Sequence, residues 1–192
     1  MSSRIWLRST QRLAFRDPSL ILTELSIVEP AVAASDLPPA AKALRTNELK
    51  PVRELREAAL FCYGMGCRLG QTVLLAPEES QDYDFVATWV VGGNQHFAPV
   101  QLKEVVPAEL NASASVQAVI DGLTKYANSQ SLTVAIHLNR HGRFDPAEIV
   151  VPPLQIAALW VFGAISADQR EWALWGNFTE HAIGTTFSYP AA

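Results

Sequence analysis

The chain has 192 residues, 49% apolar and 18% charged, with 15 Lys+Arg against 19 Asp+Glu for a formal net charge of −4. That length suits about one domain, and the composition fills a core while excluding a wholly disordered chain. The longest clean apolar run, residues 157–165, falls well short of the ~20 residues that a membrane-spanning helix needs.

Charge is unevenly spread. Residues 1–70 hold ten Lys/Arg and seven Asp/Glu, a net of +3, while residues 71–192 hold five and twelve, a net of −7. The C-terminal part therefore lacks the basic footprint of a nucleic-acid binder. Its acids are either a solvated surface or ligands gathered around a metal. Cys62 and Cys67 cannot build a disulfide framework and read as free thiols of a reducing, cytoplasmic setting.

At the N-terminus Arg4, Arg8, Arg12 and Arg16 recur every four residues, which aligns them along one side of a helix. Asp17-Pro18 predicts its end. The segment has no signal-peptide core, although its Arg- and Ser-rich, acid-poor character is shared by mitochondrial presequences. Residues 30–51, with Pro30, Pro38, Pro39 and Pro51, read as a connector holding a short helix at 40–44. The chain thus divides into an extension over 1–51 and a domain over 52–192, with its core at 52–139 and a C-terminal elaboration at 140–192.

Apolar spacing predicts a helix over 52–65 ending near Gly66, then strands over 71–76, 83–91 and 97–106. Gly92-Gly93 is a hairpin signal between the last two. A helix over 113–128 and a strand over 132–138 follow. Further strand-like pieces lie at 148–151 and 159–165, and 171–178 is either strand or helix. Helices and strands in this alternation give an α/β chain with a mixed central sheet flanked by helices.

The third strand carries Gln101-Leu102-Lys103 in an apolar frame, so Gln101 and Lys103 project to one face and Leu102 to the other. The second strand carries Asp84 between Tyr83 and Phe85, and an acid there needs a partner. If Gly92 and Gly93 are the loop, paired numbers sum to 185 and Asp84 lies opposite Gln101. A Gly93-Asn94 loop sets Asp84 opposite Lys103 instead, whereas a three-residue loop separates the group onto two faces. Pro99 cannot donate to the ladder and leaves room for a bulge. A carboxylate, an amide oxygen and the Leu102 carbonyl on one face suit a hard cation such as Mg²⁺ or Mn²⁺. Lys103 is then placed to orient a water or to stabilise developing negative charge. The bland alternative is a cross-strand Asp84–Lys103 ion pair on a solvated sheet.

The acid, the Q-x-K strand and the helix–strand order over 52–139 resemble the PD-(D/E)XK, restriction-endonuclease-like nuclease superfamily, in particular its Mrr-like branch with a Q-x-K strand. The resemblance implies an αβββαβ core, with an N-terminal extension and extra C-terminal strands here. It assigns metal binding to Asp84, Gln101 and the Leu102 carbonyl, and a catalytic role to Lys103. Some members of the family add a Glu from the first core helix, and Glu57 or Glu54 is available for that role. Tyr83 stands where the family has Pro. A decoy, Asp36 with Glu48-Leu49-Lys50, is rejected because Pro38, Pro39 and Pro51 surround it. The implied activity is Mg²⁺-dependent endonucleolytic hydrolysis of phosphodiesters, of DNA first, in defence or repair, with a homodimer left open. The alternatives are an inactive nuclease-fold module that binds nucleic acid or protein, and a protein-interaction domain with a structural Asp–Lys pair.

Other candidates carry less. His137 and His141 straddle a strand end, about 13 Å apart at ~3.3 Å per residue, which disfavours a metal pair. Gly64-Met65-Gly66 lacks the Lys-Ser/Thr of a phosphate loop. Gln117 and Tyr126 read as surface or groove residues, and Arg140, His141 and Arg143 as a basic loop. The N-terminal arginines are either a phosphate-holding surface beside the site or a solvated or acid-paired helix face.

Overall fold

The structure is a computed structural model, and it describes residues 3–78, 80, 82–126 and 129–190. Seven strands form one sheet in sequential order: β1 (Leu74–Pro77), β2 (Phe85–Val91), β3 (Asn94–Val105), β4 (Ser129–Leu138), β5 (Ile156–Ala164), β6 (Glu171–Gly176) and β7 (Ile183–Ser188). Strands β1, β2 and β3 make an antiparallel meander; β3, β4 and β5 run parallel; β5, β6 and β7 are antiparallel again. The molecule is therefore α/β with a mixed sheet. Among the described residues no helix is long and apolar enough to cross a membrane.

Among the described residues five α-helices accompany the sheet: α1 (Ser3–Thr10), α2 (Pro18–Ala34), α3 (Pro39–Lys42), α4 (Lys50–Leu69) and α5 (Val116–Asp121). Helix α4 stops at Gly70, which takes the left-handed conformation (φ 64°) that a Cβ disfavours. Its Ala59, Leu60 and Phe61 pack on Val100, Leu102, Ala135 and Phe162 on one sheet face. Helix α5 lays Val116 and Ile120 on Val105, Val134, Ile136 and Val161 on the other face. Alternation along β3 accounts for both cores: Leu102 faces α4 while Val105 faces α5.

Two expected boundaries shift for local reasons. The Arg-bearing helix ends at Thr10 and not at Asp17-Pro18, so Arg12 and Arg16 fall outside it and the four arginines do not share one helix face. Asp17-Pro18 starts α2 instead. The Asp17 carboxylate accepts from the Ser19 backbone N–H at 2.8 Å, and Pro18 occupies the first turn, where its missing N–H costs nothing. Helix α2 then buries Ile21 and Leu22 in the α4-side core, so the N-terminal extension packs onto the domain, and α2 runs on to Ala34, into the stretch expected as a connector. The helix expected over 113–128 is α5 followed by a 3-10 turn, Gly122–Lys125; glycine at the junction weakens continuation. Residues 148–151 form no strand, and of 171–178 the stretch Glu171–Gly176 is strand β6. Strand β7 was not anticipated.

The β2–β3 turn is Gly92-Gly93 with both φ positive (57° and 79°), and Val91 pairs with Asn94. That is the two-residue hairpin geometry whose twist matches the strands. Pro99 causes no slip, because it lies where β3 has only β2 beside it; pairing with β4 begins at Val100. Gly93→Ala is expected to cost about 1–2 kcal/mol, the usual penalty of a left-handed non-glycine residue, read as a lower midpoint in urea.

Candidate functional site: Asp84, Gln101 and Lys103

The β2–β3 pairing reaches Phe85 opposite Val100, and Asp84, the next residue outward, meets Gln101 through its side chain. The Asp84 backbone N–H donates to the Val100 carbonyl at 2.9 Å, which anchors the residue at the end of β2. The Asp84 carboxylate is then gripped from β3. Its Oδ2 accepts from the Leu102 backbone N–H at 2.6 Å and from the Gln101 side-chain amide. Gln101 Nε2 also lies 3.3 Å from the Leu102 carbonyl oxygen. Two oxygen acceptors, Asp84 Oδ2 and Leu102 O, therefore converge on one amide nitrogen.

Lys103 follows two residues on, beside Ile136 of the α5-side core, so it shares the face of Gln101. Its ammonium sits 5.9 Å from the ring centroid of Tyr126, just beyond the 3-10 turn after α5. Among the described residues no ion pair joins Asp84 to Lys103. Asp84, Gln101 and Lys103 are all half-buried and reachable by solvent. Tyr83, immediately before Asp84, donates its hydroxyl to Glu78 at 2.9 Å. Burial pushes its phenol upward, which keeps that donor proton in place.

The helix glutamates do not join this group. Glu54 is on the surface of α4, 3.4 Å from Lys50. Glu57 is 4% exposed and lies on the α4 face of the sheet, where its Oε1 is 3.2 Å from Nδ1 of His137. Gln101 and Lys103 face the opposite way, so the sheet stands between Glu57 and Asp84. Helix periodicity gave a glutamate on the first core helix, but only the strand parity of Leu102 against Gln101 decides which face that helix covers.

Glu57 belongs to a second cluster that motif reading passed over. Glu57, Glu104 and His137 offer ligand atoms that all lie within 4.8 Å of one another. Register explains the meeting: Glu104 of β3 is opposite His137 of β4. The signal in the sequence was parity, since Glu104 and His137 fall on the Leu102 and Ala135 side of their strands. His137 stacks on Phe162 at 5.0 Å with an 11° interplanar angle. Arg45 grips both Glu104 oxygens, and Asn139 donates to Oε1 at 2.7 Å. Arg53 reaches Glu57 at 4.0 Å. Two carboxylates thus face two guanidiniums, and a cation entering here must compete with Arg45 at Glu104. Glu57 and His137 line a cleft of about 800 Å³ between α2, α4 and the sheet, together with Arg45 and Arg53.

Burial pushes the Glu104 carboxyl up, but the hydrogen bonds from Arg45 and Asn139 and the charges of Arg45 and His137 outweigh it, leaving its pKa below the ordinary 4.5. A depressed folded-state pKa gives stability that is present above the unfolded value and lost as pH falls through the folded one. Arg45→Ala is therefore expected to cost about 2 kcal/mol near neutral pH, the scale of a charged hydrogen-bonded pair. The gap between wild type and variant should close as pH drops below 4.5. Urea unfolding at several pH values reads this, and a gap that persists in acid would assign the loss to Arg45 packing alone.

Compared with protein-family models, curated proteins and solved structures, the chain matches none.

Proposed function

We propose that the chain is a divalent-metal-dependent nuclease of the restriction-endonuclease-like kind, acting on the phosphodiester backbone of DNA. The observation that carries this reading is the convergence of Asp84 Oδ2 and the Leu102 carbonyl on Gln101, with Lys103 on the same face. Hard cations take oxygen ligands, and two such oxygens already point at one place. The donor set fits Mg²⁺ or Mn²⁺, held by Asp84, the Leu102 carbonyl and, after rotation of its amide, the Gln101 side-chain oxygen. When bound, such an ion supplies a water of lowered pKa and positive charge against a phosphate.

The chain's own residues divide the remaining work. Asp84 brings the one negative charge, and the Leu102 N–H fixes its carboxylate in place. Gln101 holds Asp84 and the Leu102 carbonyl together through its NH₂ and exchanges that role for its oxygen. Lys103 donates to a non-bridging phosphate oxygen or to the attacking water, opposing charge as it develops. With one carboxylate and one amide the site is weakly anionic, so millimolar-range cation affinity is in keeping with it.

A second reading draws on the same contacts. Asp84 accepts two hydrogen bonds from β3, which also describes a structural clamp at the strand ends of a binding module. Cleavage of labelled DNA separates the two. The nuclease reading expects cleavage in Mg²⁺ that stops in EDTA and in Lys103→Ala. Cleavage that survives EDTA would overturn it, and inert protein at all metal concentrations would favour the clamp.

A further inference from the structure

Residues 3–16 contain four arginines and no acid, while residues 17–192 net −8 against the whole-chain −4. This most positive stretch of the chain has a fixed place. The Trp6 indole N–H donates to the Tyr83 hydroxyl at 3.4 Å, one residue from Asp84. Phe15 packs on Phe97 of β3, ring centroids 5.9 Å apart, and Phe97 is four residues before Gln101, on the same face. Arg16 then pairs by its backbone with Leu75, its N–H on the Leu75 carbonyl at 2.8 Å and its carbonyl on the Leu75 N–H at 3.0 Å. The segment crosses the Asp84 face of the β1–β3 meander and ends on the outer edge of β1, before α2 enters the other face.

Its arginines are held out rather than used inward. Arg8, Arg12 and Arg16 are exposed, and among the described residues their side chains form no ion pair or hydrogen bond. The Arg4 side chain lies outside the described ones. Several arginines elsewhere are engaged: Arg45 on Glu104, Arg56 on Glu29, Arg68 on Thr185, Arg140 on Ala114. A chain that is otherwise acidic repels a phosphate backbone, so contact needs a local positive surface. We propose that residues 3–16 are a nucleic-acid phosphate clamp, with Arg8, Arg12 and Arg16 gripping the backbone beside the Asp84 site. The clamp rests on the nuclease reading for the identity of its ligand. It differs from base readout because guanidiniums on phosphates carry no sequence information.

The test is a titration of a labelled DNA duplex against the full chain in metal-free buffer over a range of salt, with cleavage in Mg²⁺ measured in parallel. For wild type, log K should fall linearly with log salt. In the Arg8→Gln, Arg12→Gln, Arg16→Gln triple variant the slope should flatten by about 0.9 for each phosphate contact removed. Lysine at the same three positions should restore most of it. An unchanged slope in the glutamine variant, or a wild type that binds no duplex at low salt, overturns the clamp. Cleavage by wild type with an unchanged slope overturns the clamp and leaves the nuclease reading standing. A flattened slope without any cleavage supports the clamp as a nucleic-acid contact while the nuclease reading falls.

Discussion

Asp84→Ala is expected to lower Mg²⁺-dependent cleavage by about 10³-fold or more while the protein stays folded. The estimate follows from losing several kcal/mol of charge stabilisation at ~1.4 kcal/mol per decade of rate. Asp84 is half-buried and its Oδ2 ties down the Leu102 N–H and the Gln101 amide. Removing it leaves those donors to solvent at the open end of a hairpin, so the structural cost is modest compared with the catalytic one. Gln101→Glu works in the other direction: a second carboxylate beside Asp84 repels it without metal and draws a cation more strongly. It should retain cleavage at lower Mg²⁺. Rates measured across a Mg²⁺ series check both variants, and an Asp84→Ala protein as active as wild type would place the chemistry elsewhere.

Glu57→Ala should show the opposite profile. Its carboxylate is 4% exposed, shares Oε1 with His137 and lies near Arg53. Its removal leaves buried His137 without that hydrogen-bond partner, and a buried polar group left unsatisfied costs about 1–3 kcal/mol. A large drop in unfolding free energy is therefore expected, with Mg²⁺ affinity of the folded protein unchanged, because the sheet separates Glu57 from Asp84. Urea unfolding and metal titration on the same sample read the two quantities. Loss of Mg²⁺ affinity in folded Glu57→Ala protein would move the metal centre to the α4 face.

The hairpin shows how far a sequence carries such a site. Gly92-Gly93 specifies the turn, the turn specifies the register, and the register brings Asp84 to Gln101 with no long-range knowledge needed. The parity of Gln101 and Lys103 follows from the two-residue repeat of a strand. The helix-to-face assignment did not follow, since amphipathic spacing in α4 says that one side is buried and leaves open which face of the sheet it meets. The Glu57, Glu104 and His137 cluster was hidden for the same reason: its members are 80 residues apart at the extreme, and only the β3–β4 register joins two of them. Helix α2 was obscured by Pro30, which sits inside it, and by an Asp-Pro pair that signals both an end and a start. The edge strand β7 has four of its six residues exposed and buries only Phe187, so it carries little apolar patterning.

The central claim is that Asp84, Gln101 and the Leu102 carbonyl hold a divalent cation. Calorimetric titration of Mn²⁺ or Mg²⁺ into wild type and Asp84→Ala tests it most directly, independent of any substrate. Saturable binding near one ion per chain that disappears in Asp84→Ala is the predicted result; binding absent from wild type, or equal in both proteins, would contradict it.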